Sequence, residues 1–251
     1  MVARARRALG VRRIGHAGTL DPFATGMLLL LVGRATRLAR YFVPLPKTYE
    51  VVVQLGARSS TGDPEGEIVE TGVVPDSLVL PLGSVRQRPP AHSAVKVAGE
   101  RAYARARRGE RFELPEREVT VHEAAELWRS GTRAGLRFRC SAGTYVRSLV
   151  EDLGGDAYCL ELRRVAIGPF APDGEWPGEG PPSLIAVGEA WSRFGTVVAL
   201  DADEVDAAVH GRAMAARGGE GPLLLVDGAG DPVAVARERD GALRVEVGLR
   251  G

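Results

Sequence analysis

Gly15-His16-Ala17-Gly18-Thr19-Leu20-Asp21-Pro22-Phe23-Ala24-Thr25-Gly26 carries three glycines, a proline, two threonines and a single acid, Asp21. Gly and Pro at that density exclude a regular helix or a central strand, so the stretch is a shaped loop. The apolar run at 27–32 follows directly and reads as one short buried strand that anchors the loop to a core. Asp21 is thereby held in place. Asp-Pro is also a common turn opening, but from Met1 to Arg40 Asp21 is the only carboxylate among eight arginines, a net charge of +7.

Working outward, residues 2–9 read as the end of an amphipathic helix with Arg4, Arg6, Arg7, Arg12 and Arg13 on or near its exposed side. Residues 34–42 look helical until Pro44 and Pro46 stop them. The alternation at 48–55 marks a half-buried strand, and 59–66 is turn-rich, with 67–70 returning as its hairpin partner. Strands are expected at 119–128, 136–141 and 160–167, and a helix at 144–153 behind Gly143. Residues 169–182 hold eight Gly or Pro and read as a linker. A helix at 183–194 and another at 203–210 precede three strands at 223–226, 233–236 and 243–247, with turns at Asp227-Gly228 and Asp240-Gly241.

Composition bounds the class. The chain of 251 residues is 45% hydrophobic and 26% charged, the proportions of a folded protein with a substantial core. The net charge of +1 conceals a basic stretch, residues 84–117 at +5, and an acidic one, residues 198–251 at −4. Arginine supplies 31 of the 33 bases; a GC-rich gene accounts for that, although guanidinium also suits phosphate. Cys140 and Cys159 are the only cysteines and lack zinc spacing, which fits a reducing cytoplasm and excludes a disulfide framework. No apolar run approaches a transmembrane span.

Four blocks resemble one family. His16, Gly18, Thr19, Leu20, Asp21, Pro22, Ala24, Thr25 and Gly26 look like the signature of the TruB family of tRNA pseudouridine synthases. Gln87, Pro89, Pro90, Ser93, Ala94, Lys96, Gly99, Tyr103, Ala104, Arg107 and Gly109 match a second block. Ser141, Gly143, Thr144, Tyr145 and Arg147 form a third, and Leu162, Arg163, Arg164 and Val165 a fourth. Asp21 and Thr25 also fit the Asp-x-x-x-Thr of haloacid-dehalogenase phosphotransferases, but that nucleophile ends an apolar strand, whereas Asp21 follows Gly-Thr-Leu.

The resemblance implies an α+β fold: a mixed-sheet pseudouridine-synthase catalytic domain over residues 1–195, then a small, mostly β PUA-like RNA-binding domain over 196–251. It implies isomerisation of uridine 55 in the T-loop of elongator tRNAs by a cytoplasmic monomer, with neither metal nor cofactor. Asp21 becomes the catalytic aspartate, whether it attacks C1′, attacks C6 or assists a glycal pathway. Arg147 is its support, since a charge-assisted bond would offset the desolvation of an ionised Asp21. Tyr49, in a Lys-x-Tyr like the family's, supplies the ring that stacks on the uracil. His16, Tyr49, Tyr145 and Leu162 are expected to form the uridine pocket, and Lys96 to contact substrate. Three departures stand out: residues 75–85 are short for the family's helix, 154–161 is a shortened approach expected to shift Leu162, and the chain lacks the family's N-terminal strand. A natural protein longer by ~20–30 residues is expected on that last ground. A tRNA-binding protein without catalysis is the competing function; it would have no need of Asp21.

Overall fold

A computed structural model of the chain describes residues 1–90, 96–97, 99–102, 105, 108–110, 112, 114–172 and 182–250. It divides into two compact units, one comprising 1–17, 30–42 and 174–251 and the other 18–29 and 43–173. Ser93, Ala94, Tyr103, Ala104, Arg107 and most of the expected linker lie outside the described residues.

The second unit is built on a six-stranded mixed sheet in the order Thr25–Gly26, Ala157–Ile167, Lys47–Leu55, Arg133–Cys140, Arg117–Ser130, Gly83–Gln87. Every pairing is antiparallel except that of Thr25–Gly26, which runs parallel to Arg163 and Arg164. Along Lys47–Leu55 the alternation seen in sequence puts Val51, Val53 and Leu55 into the core with Leu136, Phe138, Cys159 and Leu162. The short helix Val146–Glu151 packs on that face through Leu149 and Val150. Full burial of an aliphatic side chain contributes about 1.5–3 kcal/mol, so this layer rigidly holds whatever emerges from its edges.

The first unit carries helix Val2–Leu9, ended by Gly10 in the left-handed region (φ 64°), and a two-stranded ribbon pairing Ile14–His16 with Leu30–Val32. It also holds a five-stranded sheet in the order Thr196–Ala199, Pro222–Val226, Pro232–Arg239, Ala242–Gly248, Met214–Ala215. Helix Ala202–Val209 is closed by a capping box between Asp201 and Glu204.

Four expectations need correction. The run at 27–32 is not one buried strand: only Leu30–Val32 is extended in the ribbon, because Gly26 at φ 95° breaks the chain between the two pairings. The helix expected at 183–194 spans only Val187–Ser192, and that at 144–153 only Val146–Glu151. The C-terminal sheet has five strands rather than three: Thr196–Ala199, for which the sequence predicts no strand, pairs parallel with Leu223–Val226, and Met214–Ala215 pairs with Ala242 and Leu243.

Candidate active site

The loop carrying Asp21 is tied down from both ends of its polypeptide. Ala24 N–H donates to the Asp21 carbonyl at 3.0 Å, and Met27 N–H to the Arg164 carbonyl at 2.7 Å. A Cβ on Gly26 would lie 2.3 Å from that same Arg164 oxygen, so only glycine fits. Beneath the loop, Arg164 is 1% exposed and spends its guanidinium on backbone: Nε donates to Met27 O (2.8 Å), Nη1 to Thr19 O (3.2 Å) and Nη2 to Gly18 O (3.3 Å). A single buried cation thus collects the carbonyls of Gly18, Thr19 and Met27, which lie outside the loop's short sheet pairing at Thr25–Gly26.

Arg147, in the first turn of Val146–Glu151, completes the anchorage. Its side chain is 2% exposed, against 26% for Asp21 and 7% for Asp63. Nε donates to Asp21 Oδ2 at 2.9 Å, while Nη1 donates to Asp63 Oδ2 at 3.0 Å and to the Thr61 carbonyl at 2.7 Å. Asp63 is held in turn, its Oδ1 accepting from Thr61 Oγ1 (2.6 Å) and from Glu65 N–H (3.1 Å). Gly62 lets the turn approach, because a Cβ there would stand 3.3 Å from Arg147 Cβ. Two carboxylates share one guanidinium, and Asp21 is the more exposed of the two. Nearby, burial foremost and Asp152 next push the Glu151 carboxyl up, with Arg147 opposing, and burial pushes up the Cys159 thiol.

Tyr49 is half-buried on Lys47–Leu55, one strand removed from Thr25–Gly26 of Asp21's loop, and lies opposite Phe138 and Arg164. Burial raises its phenol, partly countered by Arg164, which hydrogen-bonds it; it stays neutral through the physiological range. Tyr145 caps the Arg147 helix and is clamped by Gln87, whose Oε1 accepts from Tyr145 N–H (2.7 Å) and whose Nε2 donates to Tyr145 O (3.4 Å). The Arg117 guanidinium lies 4.6 Å from the Tyr145 ring centroid. Leu162 is 6% exposed; a bulge between Cys159 and Glu161 brings it opposite Val51, and its carbonyl accepts from Thr25 Oγ1 at 3.4 Å. The structure therefore places Asp21, Arg147, Tyr49 and Leu162 in the second unit, with Asp21 in contact with Arg147 and Leu162 bonded to the loop's Thr25. His16 belongs to the other unit, exposed in the ribbon opposite Leu30. Lys96 pairs with Arg101 in a two-residue hairpin strand.

Three residues escaped the sequence reading as parts of the site. Asp63 looked like ordinary turn chemistry in Gly62-Asp63-Pro64, and nothing local announces that a helix 84 residues on supplies its cation. Arg164 sat in a recognised block, but its burial and its three carbonyl partners are tertiary facts. Lys47 is the third: its Nζ donates to Val43 O (2.5 Å) and Leu45 O (2.6 Å), and burial, then Arg164, draw its ammonium down to about 8.

Comparison with known proteins gives this geometry a lineage. The family model described as TruB family pseudouridylate synthase (N terminal domain) matches residues 6–146. Named tRNA pseudouridine synthase B, the protein of Thermobifida fusca (strain YX) is 39% identical over 276 residues, covering 100% of this chain and 94% of its own. Its namesake from Cupriavidus pinatubonensis (strain JMP 134 / LMG 1197) is 39% identical over 279 residues, covering 98% and 88%. Among solved structures, that of a Cbf5-Nop10-Gar1 complex shares the fold with a TM-score of 0.68 at 22% identity, over 99% of this chain and 80% of that one. The H/ACA RNP bound to a substrate RNA containing 2′-deoxyuridine does so with a TM-score of 0.63 at 19% identity, over 100% and 80%. The family match takes in the Asp21 loop, Asp63 and Tyr145, the full-length relatives extend it over Arg147 and Arg164, and the chain belongs to the TruB family of pseudouridylate synthases.

Proposed function

We propose that this chain is a tRNA pseudouridine synthase that isomerises uridine 55 in the T-loop of elongator tRNAs, with Asp21 as its catalytic carboxylate and no cofactor. The reaction breaks the N1–C1′ bond, turns the uracil and joins C5 to C1′; C5 gives up its proton and N1 takes one up. Nothing is oxidised or reduced. The observation that carries the reading is the asymmetry of Asp21: Oδ2 is fixed by Arg147 at 2.9 Å, whereas Oδ1 has no hydrogen-bond partner among the described residues and the side chain is 26% exposed. One oxygen orients the carboxylate and the other meets the nucleoside. Two relatives that cover nearly all of this chain, both named tRNA pseudouridine synthase B, support tRNA as the substrate.

In this reading the target base leaves its stack at a cost of a few kcal/mol, offset by aromatic stacking of ~1–3 kcal/mol per base. Tyr49 supplies that ring; Tyr145, Leu162, His16 and Lys96 complete the substrate contacts. Residues 196–251 serve as the PUA-like RNA-binding domain beside a catalytic domain of 1–195, and the protein works as a cytoplasmic monomer. The test is pseudouridine mapping on unmodified tRNA incubated with the chain and with Asp21→Asn. Conversion at position 55 by the parent alone, at similar tRNA affinity, is expected; turnover by the variant would overturn the assignment of Asp21.

A further inference from the structure

Residues 1–17 and 30–42 of the first unit contain eight arginines, all exposed, and not one Asp or Glu. Several arginines elsewhere are neutralised by a neighbour: Arg58 by Asp156 and Arg137 by Glu50 (both 2.6 Å), Arg139 by Glu123 (3.3 Å), Arg239 by Glu246 (2.8 Å). Here Arg6 and Arg13 find only neutral oxygen, Arg6 donating to Ile14 O at 3.2 Å and Arg13 to Thr36 Oγ1 at 2.7 Å. Arg4, Arg7 and Arg12 have no hydrogen-bond or ion-pair partner among the described residues. Where the helix ends at Gly10, Arg6, Arg7 and Arg12 line an open depression of ≈ 400 Å³ with Gly10 and Val11. Ala5 (0% exposed) and Ile14 (5%) root the segment in the unit's interior, so these charges are presented on an ordered surface.

A like-charged cluster without counter-charges repels itself and raises the local concentration of anions. Guanidinium forks suit phosphate oxygens, which they can grip bidentately. An anionic membrane is the poorer match, because interfacial helices need a broad apolar face to insert, and the apolar side of this helix is turned inward through Ala5. We infer that the acid-free arginine face formed by Arg4, Arg7 and Arg12 is a docking surface for the phosphate backbone of the RNA substrate. The inference rests on the proposed RNA substrate and adds where its backbone is held.

The test uses the full chain with Arg4, Arg7 and Arg12 changed together to Gln, and a control variant, Arg58→Gln with Arg139→Gln, in which the charges removed were already paired. Affinity for unmodified tRNA is measured by fluorescence anisotropy from about 50 to 300 mM KCl. The triple variant is expected to bind about tenfold or more weakly near 0.1 M salt, and its log–log slope to flatten by about 0.7–0.9 for each phosphate it no longer neutralises, while the control keeps the parent slope. An unchanged slope in the triple variant, an equal change in the control, or loss of binding to phosphatidylserine vesicles in place of tRNA would each overturn the inference. Isomerisation by the parent is assayed alongside. A parent that does not isomerise while the triple variant loses slope overturns the proposed chemistry and supports this surface; an isomerising parent with an unchanged slope overturns the surface alone.

Discussion

Replacing Asp63 with Asn removes one charge and almost no volume, at a site where the amide cannot satisfy both of its neighbours. Asp63 Oδ1 accepts from two donors, Thr61 Oγ1 and Glu65 N–H, and Oδ2 accepts from Arg147 Nη1 at 3.0 Å. Turned one way, the new NH2 faces the guanidinium; turned the other way, it faces the Glu65 N–H. A donor meets a donor in either case, and the charge-assisted bond to Arg147, worth about 1.5–3 kcal/mol, is broken or strained. Of the two carboxylates, only Asp21 then gives Arg147 a charge-assisted bond, beside the Thr61 carbonyl. If that energy holds Asp21 in its reactive orientation, kcat falls about 10- to 150-fold at 1.36 kcal/mol per decade. KM for tRNA should stay within about threefold, since Asp63 is buried. The assay is tritium release from tRNA labelled at uridine C5, because that hydrogen departs as the new bond forms. A kcat within twofold of the parent in a folded variant would refute the claim that Asp63 works through Arg147.

Gly26→Ala would place a Cβ 2.3 Å from Arg164 O at φ 95°; the backbone alone costs roughly 1–2 kcal/mol, and a melting temperature lowered by at least ~4 °C is expected by calorimetry. Arg164→Met would leave the carbonyls of Gly18, Thr19 and Met27 without their donors, at about 1–3 kcal/mol for each that stays buried and unpaired; faster amide exchange over 18–27 and a reduced kcat should follow, and unchanged protection would refute the anchoring role. Lys47 yields a pH signature: its folded-state value of about 8, below the ordinary 10.5 of a lysine, means that the unfolded chain binds the extra proton between those limits, so its contribution to stability rises with pH there. Urea midpoints of the parent should therefore gain on those of Lys47→Met between about pH 8 and 9.5, below the range where Tyr41, raised to about 12 by burial and Glu246, and the other tyrosines intervene.

What the sequence disclosed depended on the range of the forces involved. Lys47–Leu55 was legible because alternation is written into consecutive residues, and the Asp240-Gly241 turn because both residues adopt positive φ, at 53° and 71°. The broken run at 27–32 was not, since Thr25–Gly26 just before it pairs with a strand more than 130 residues away and only Leu30–Val32 joins the ribbon. Thr196–Ala199 likewise becomes a strand only because Leu223–Val226 offers it a parallel edge. At the site, the resemblance singled out Asp21 and Arg147, and the structure sets their side chains 2.9 Å apart. Asp63 lay hidden because a turn aspartate carries the same local signature whether it faces water or a buried guanidinium.

Arg164 grips the Asp21 loop through carbonyl dipoles and not through a carboxylate, and it does so with 1% of its surface in water. Mobile ions screen exposed charges beyond about 10 Å at 0.1 M but scarcely reach a buried one. The fixing of the Asp21 loop should consequently be indifferent to ionic strength over the range in which phosphate contacts dissolve. Added salt should then empty the enzyme of RNA long before it slackens the loop, so its inhibition should be recorded in KM, with kcat left standing for whatever substrate still binds.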